Sequence, residues 1–170
     1  ASRAGKFRKV IGRVARRSLM HAVKPLARHL SDGLVLKIPV TGRVAVGLPN
    51  GARFYMHSDG YDYTVALVYF KGIYGYESGT MKVFYRLLAQ TASVFDIGAN
   101  TGLYSLIAAA EDPSRRVESF EPVPRIFSAL ERNVLSNGLA NCRFHRCAVT
   151  DFDGEIPLYI PPGRIPFGAT

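Results

Sequence analysis

A short β-prone run, Val94-Phe95-Asp96-Ile97, meets a glycine-bounded loop, Gly98-Ala99-Asn100-Thr101-Gly102, and a helical pattern (Leu103, Leu106, Ile107) starts at once after it. A strand passing through such a loop into a helix turns backbone N–H groups toward one point at the positive end of the helix. A carboxylate or phosphate can sit there. Glycine at 98 and 102 allows both the sharp turn and a close approach of the backbone to a ligand. The next β-prone run, Arg116 to Phe120, ends in Glu121, nineteen positions past Gly102. That is near the ~20-residue offset at which parallel α/β folds place an acid on ribose hydroxyls. The segment therefore predicts an adenosine-type site at the strand ends of an α/β domain.

The loop chemistry narrows the cofactor. A dinucleotide loop reads G-x-G-x-x-G, whereas this one reads G-A-N-T-G, with no third glycine and Asn100 where the second would fall. Asp96, at the strand tip, would repel a pyrophosphate and attract an ammonium group. S-adenosylmethionine offers an ammonium for Asp96, a carboxylate for the helix N-terminus and a ribose for Glu121. It is the expected cofactor. An NAD-dependent oxidoreductase is the alternative.

The stretches D-I-G-A-N-T-G (96–102), S-F-E-P-V-P-R-I-F-S-A-L-E-R-N-V-L-S-N (119–137) and C-A-V-T-D-F-D-G (147–154), with G-I-Y-G-Y-E (72–77) upstream, resemble the FkbM family of S-adenosylmethionine-dependent methyltransferases. The similar region spans about residues 72–159. The resemblance implies a Rossmann-like class I sheet and methyl transfer, most often to a hydroxyl oxygen of a sugar or other small molecule. It also implies a cofactor site in which Asp96, Gly98, Ala99, Asn100, Thr101 and Gly102 line the methionine end. Glu121 would bind the ribose, Pro122 would lie by the adenine, and Ala148 and Val149 would flank the base. Tyr76 and Glu77 would sit near the methionine moiety.

The expected fold is α/β, with parallel strands at Ser93–Ile97, Arg116–Phe120 and 143–149 and helices at 103–110 and 124–137. Runs at 34–39, 43–48 and 52–57, separated by Thr41-Gly42 and Pro49-Asn50-Gly51, predict a small antiparallel meander, since Asn-Gly tolerates positive φ at a hairpin turn. Helices are expected at 61–70 and 77–88, and a further strand at 156–160. The organisation is a basic arm (1–31), a meander with helices (32–90) and the first half of a cofactor-binding domain (91–170). Only about three parallel strands are found, so the sheet is incomplete. The chain reads as a fragment missing strands that would build the acceptor pocket and supply the general base.

Charge is unevenly placed. The first 31 residues carry nine of the 22 basic side chains and no acid, so the remainder is balanced at 13 against 13. Apolar residues from Phe7 to Leu30 fall near helical spacing, with Pro25 expected to kink or end the helix. Such an arm either packs on the domain or lies on an anionic membrane surface; nucleic acid is the weaker fit. A cytoplasmic protein, with a peripheral membrane position as the variant, is the expectation, and an inactive binding module is the other-class alternative. The two cysteines, Cys142 and Cys147, and the four scattered histidines have no metal-ligand spacing, so no metal is assigned. His57, Asp59 and His145 have the chemistry of a base but no supporting pattern, and no catalytic residue is assigned.

Overall fold

The computed structural model describes residue 18, residues 20–60 and residues 62–159. Most of the basic arm therefore lies outside the described residues. Residues 20–27 form helix α1 and Asp32–Val35 form α2. Strands β1 (Thr41–Gly47) and β2 (Arg53–Asp59) follow, then α3 (Tyr63–Lys71), a 3-10 turn (Ile73–Gly75) and α4 (Ser78–Leu88). The remainder alternates strand and helix: β3 (Ser93–Ile97), α5 (Leu103–Glu111), β4 (Arg116–Phe120), α6 (Pro124–Asn137) and β5 (Cys142–His145).

The last three strands form a parallel sheet in the order β3-β4-β5, joined by α5 and α6. Period-two alternation sorts its faces. Val117 and Cys142 are buried beneath the helices, Ser119 meets Ser105 of α5, and Phe144 meets Phe127 of α6 edge to face. The other face carries Phe95 and Ile97, 61% and 63% exposed, together with Phe120, which stacks on His145 at 4.8 Å. Glu118 on this face is held by Arg116 Nε at 2.8 Å and His145 Nε2 at 2.7 Å; those two partners, His145 first, lower its pKa. Because β3 is an edge strand, its free backbone groups and two exposed apolar side chains favour pairing with another chain. Phe95→Lys is expected to reduce concentration-dependent association in sedimentation velocity. Equal association of the two proteins would place the contact elsewhere.

The hairpin forms a third layer on the helices. Asn50 shapes its turn, accepting from Ala52 N at 3.0 Å and donating to Glu111 O at 3.0 Å. Val44, Val46, Phe54 and Met56 bury one face of it. Its β2 edge is docked by two asparagines one turn apart on α6. Asn137 accepts from Tyr55 N and donates to Tyr55 O, both at 2.7 Å, so one amide does the work of a neighbouring strand. Asn133 accepts from His57 N at 2.9 Å.

Several expected elements differ. Residues 34–39 are not a strand: the segment folds into α2 and turns, because Val35 is the residue it buries completely while Leu34 and Leu36 stay exposed. The meander is thus a two-stranded hairpin. α1 continues two residues beyond Pro25, with Met20 and Ala27 buried and His21 Nδ1 2.8 Å from the Tyr69 hydroxyl, so packing outweighs the missing proline donor. The third parallel strand stops at His145, since Glu121 N to His145 O at 3.0 Å is the last rung that β4 offers. Residues 155–159 have no regular structure, and Ile156, Leu158 and Tyr159 are exposed. Residues 61 and 160, at the ends of two expected elements, lie outside the described residues.

Candidate functional site

The loop between β3 and α5 is tied to the end of β4: the amides of Gly98 and Ala99 both donate to Phe120 O at 2.9 Å. Gly98 (φ 77) and Gly102 (φ 91) adopt left-handed conformations, and a Cβ on Gly102 would lie 2.6 Å from Leu130 Cδ1 on α6. Glycine is thus required at 102 both for the backbone conformation and for the approach of α6. Asn100 is also left-handed, at φ 51. Its amide donates to Glu121 Oε2 at 3.0 Å, while its own Oδ1 is buried with no protein partner.

Beside this loop lies a cavity of about 180 Å³. The loop from Gly98 to Thr101 and the first turn of α5, with Leu103 and Tyr104, line it together with Thr64, Tyr76 and Glu77 from upstream. Glu77 sits at the head of α4 with φ 42, a conformation costing a non-glycine residue about 1–3 kcal/mol. The Tyr104 hydroxyl donates to Glu77 Oε2 at 2.9 Å. Burial first, then this bond to Glu77, pushes the Tyr104 pKa up, so the phenol stays a donor. Burial likewise raises Tyr76, with the Glu77 charge adding to it. The cavity lining therefore combines a carboxylate with the N-terminal turn of a helix.

No family model matches the chain. Over 61 residues it is 44% identical to the 31-O-demethyl-FK506 methyltransferase FkbM of Streptomyces tacrolimicus, a stretch covering 36% of this chain and 23% of that protein. Over 75 residues it is 35% identical to Methyltransferase sdnD of Sordaria araneosa, covering 42% of this chain and 29% of that one. Over these stretches the chain is similar to FkbM-type methyltransferases. A solved S-adenosylmethionine-dependent methyltransferase from Agrobacterium tumefaciens aligns at TM-score 0.42 and 14% identity, over 63% of this chain and 33% of that one. The matched stretches thus span less than a third of the curated relatives' lengths.

The sequence-predicted residues separate into three groups. Tyr76, Glu77, Gly98, Ala99, Asn100 and Thr101 share the cavity, with Gly102 capping the helix that follows. Asp96 and Glu121 lie behind it. Asp96 Oδ2 accepts from the Ser105 amide at 3.0 Å and from the Ser105 hydroxyl at 2.5 Å. It serves α5 as an N-terminal acid, and burial raises its pKa against those two bonds. That geometry differs from the expected one, in which Asp96 faced an ammonium group. Glu121 is 4% exposed and braces the loop, with Oε2 on Asn100 N and Oε1 on Val123 N at 2.9 Å. Pro122, Ala148 and Val149 stand outside the cavity lining, and Ala148 and Val149 are exposed.

None of the three candidate bases reaches this cavity. His57 and Asp59 line a different one, and His145 is held by Glu118 on the open face of the sheet. Three lining residues, Thr64, Leu103 and Tyr104, were not among the predicted site residues. Tyr104 follows the glycine loop and could have been found from its place in the first turn of α5. Thr64 lies near the start of α3, where the sequence carries no such signal.

Proposed function

We propose that this chain carries the methionine-binding part of an S-adenosylmethionine site, in an enzyme that methylates a hydroxyl oxygen of a small molecule such as a sugar or natural product. The observation that carries the reading is the cavity itself, whose lining joins Glu77 to the turn from Gly98 to Tyr104. Glu77 would hold the cofactor ammonium, in the place first expected of Asp96. The first amides of α5, which have no partner within their own helix, would hold the carboxylate. The buried, unpartnered Oδ1 of Asn100 is the kind of orphan acceptor that a bound ligand satisfies. At about 180 Å³ the cavity is below the ~300–1,000 Å³ of sites for drug-sized ligands, which suits one end of the cofactor rather than the whole.

When bound, S-adenosylmethionine supplies a methyl group on a sulfonium centre. The chain's own part is to orient it: Glu77 and the loop fix the amino-acid end, and Glu121 keeps the loop in shape through Asn100 N. Methyl transfer in line with that bond depends mainly on positioning, which can lower a barrier by up to about 7–11 kcal/mol. The acceptor chemistry follows the relative whose name gives 31-O-demethyl-FK506 as the molecule it methylates.

Calorimetry with S-adenosylmethionine and NADH tests the reading. S-adenosylmethionine should bind more tightly, and Glu77→Gln should cost roughly 1.5–3 kcal/mol of that binding, the scale of a hydrogen bond to a charged group. Tighter NADH binding would overturn the cofactor assignment. Unchanged affinity in the variant would remove Glu77 from it.

A further inference from the structure

The asparagine docking of β2 onto α6 creates a second cavity, of about 210 Å³, along the seam between them. The register fixes its two ends. His57 N bonds to Asn133, so His57 lies beside Arg132 at one end. As β2 runs toward the start of α6, Asp59, Asp62 and Arg125 gather at the other.

The acidic end is already occupied by its own bonds. Asp62 Oδ1 caps α3 through Val65 N at 3.0 Å, and Asp59 and Arg125 are each engaged. The basic end is not. Arg132 is exposed and has no hydrogen bond or ion pair among the described residues, so its guanidinium fork has no counter-charge. Arg43 adds a second positive charge nearby, with Nη2 donating to Ser136 O at 3.1 Å and the guanidinium 3.8 Å over the Tyr55 ring. Burial, then Arg132, then Arg43 hold the His57 pKa below the usual imidazole range, and His57 Nε2 is buried without a partner. An exposed guanidinium without an ion pair and a suppressed imidazole make this end of the cavity electropositive.

We infer that the β2–α6 seam binds the single oxyanion of a small hydroxylated molecule, with Arg132 as its fork partner. A phosphate or carboxylate at Arg132 makes the charge-assisted, bidentate contact that guanidinium geometry favours. Its charge also offsets the smaller part of the His57 shift, which comes from Arg132 and Arg43 after burial. The carboxylates of Asp59 and Asp62 at the far end would repel a second anionic group and accept hydrogen bonds from hydroxyls, so the site selects a polyol with one anionic group over one with two. This site is separate from the cavity at Gly98–Thr101 and does not depend on the methyltransferase reading.

The test is phosphorus NMR line broadening of glycerol 3-phosphate and of inorganic phosphate by the whole chain, by Arg132→Gln and by Arg16→Gln. Arg16 belongs to the basic N-terminal stretch and serves as the control for non-specific attraction. Both lines should broaden with the unmodified chain, the ester at lower concentration, and Arg132→Gln should weaken binding about tenfold or more. Glycerate should displace the ester and glycerol should not, and the His57 ring protons should titrate at higher pH when ligand is present. Tighter binding of the ester supports a hydroxylated ligand; tighter binding of inorganic phosphate would overturn that selection. Binding unaffected by Arg132→Gln, equal loss in Arg16→Gln, or displacement by glycerol would overturn the proposal.

Discussion

Arg115→Met is expected to destabilise the fold by about 3–5 kcal/mol, the range for leaving buried charge partners unmatched. The Arg115 side chain is 3% exposed. Its guanidinium donates to Leu88 O and Ala108 O at 2.7 Å and to Thr91 O at 3.1 Å. Leu88 ends α4 and Ala108 lies in the last turn of α5, so one cation satisfies carbonyls at the C-terminal ends of two helices, where the helix dipoles favour positive charge. Glu111, 2.6 Å from Nη1, completes the set. Methionine fills similar space but leaves three carbonyls without their donor and the Glu111 carboxylate without its ion-pair partner. Urea unfolding of the two proteins, followed by circular dichroism, gives the difference. A loss under about 1 kcal/mol would show that water replaces the guanidinium at these carbonyls.

Much of this architecture was legible because it rests on local signals. The Asp96–Gly102 loop announced itself through glycine at two positions that prove to be left-handed, and the helices on either side through their apolar spacing. The Asn50-Gly51 pair marked the hairpin turn for the same local reason. What misled was periodicity in a short segment. Leu34, Leu36 and Ile38 alternate like a strand, yet no strand lies beside them, and the segment coils to bury Val35 instead.

Side-chain direction was harder still. Asp96 was correctly read as a polar residue at a strand tip. Its choice of Ser105 over the cavity depends on how closely α5 packs, through Gly102, and no spacing rule reports that. The upstream pair Tyr76 and Glu77 could be placed near the loop only through family resemblance, because their approach is long-range and set by α3 and α4.

The docking asparagines carry the second large effect. Asn133 is fully buried and bridges two elements distant in sequence: its Oδ1 accepts from His57 N at 2.9 Å, and its Nδ2 donates to Thr101 O at 2.8 Å. One side chain therefore holds the hairpin on one side and the cofactor loop on the other. Asn133→Leu keeps the volume but strands a buried amide and a buried carbonyl, each worth about 1–3 kcal/mol, so a loss of roughly 2–4 kcal/mol in unfolding free energy is expected. Asn133→Asp separates the two roles. It retains an acceptor for His57 N but faces Thr101 O with a carboxylate oxygen, so the hairpin contact survives while the loop contact turns repulsive. S-adenosylmethionine affinity should then fall further in the aspartate variant than its stability alone would dictate, and should recover at low pH, where a protonated carboxyl can donate to Thr101 O again. Calorimetry across pH on both variants decides the point. If affinity in Asn133→Asp simply tracks stability at every pH, Asn133 is only a packing residue and the loop is positioned by Glu121 and by the Gly98 and Ala99 amides on Phe120 O.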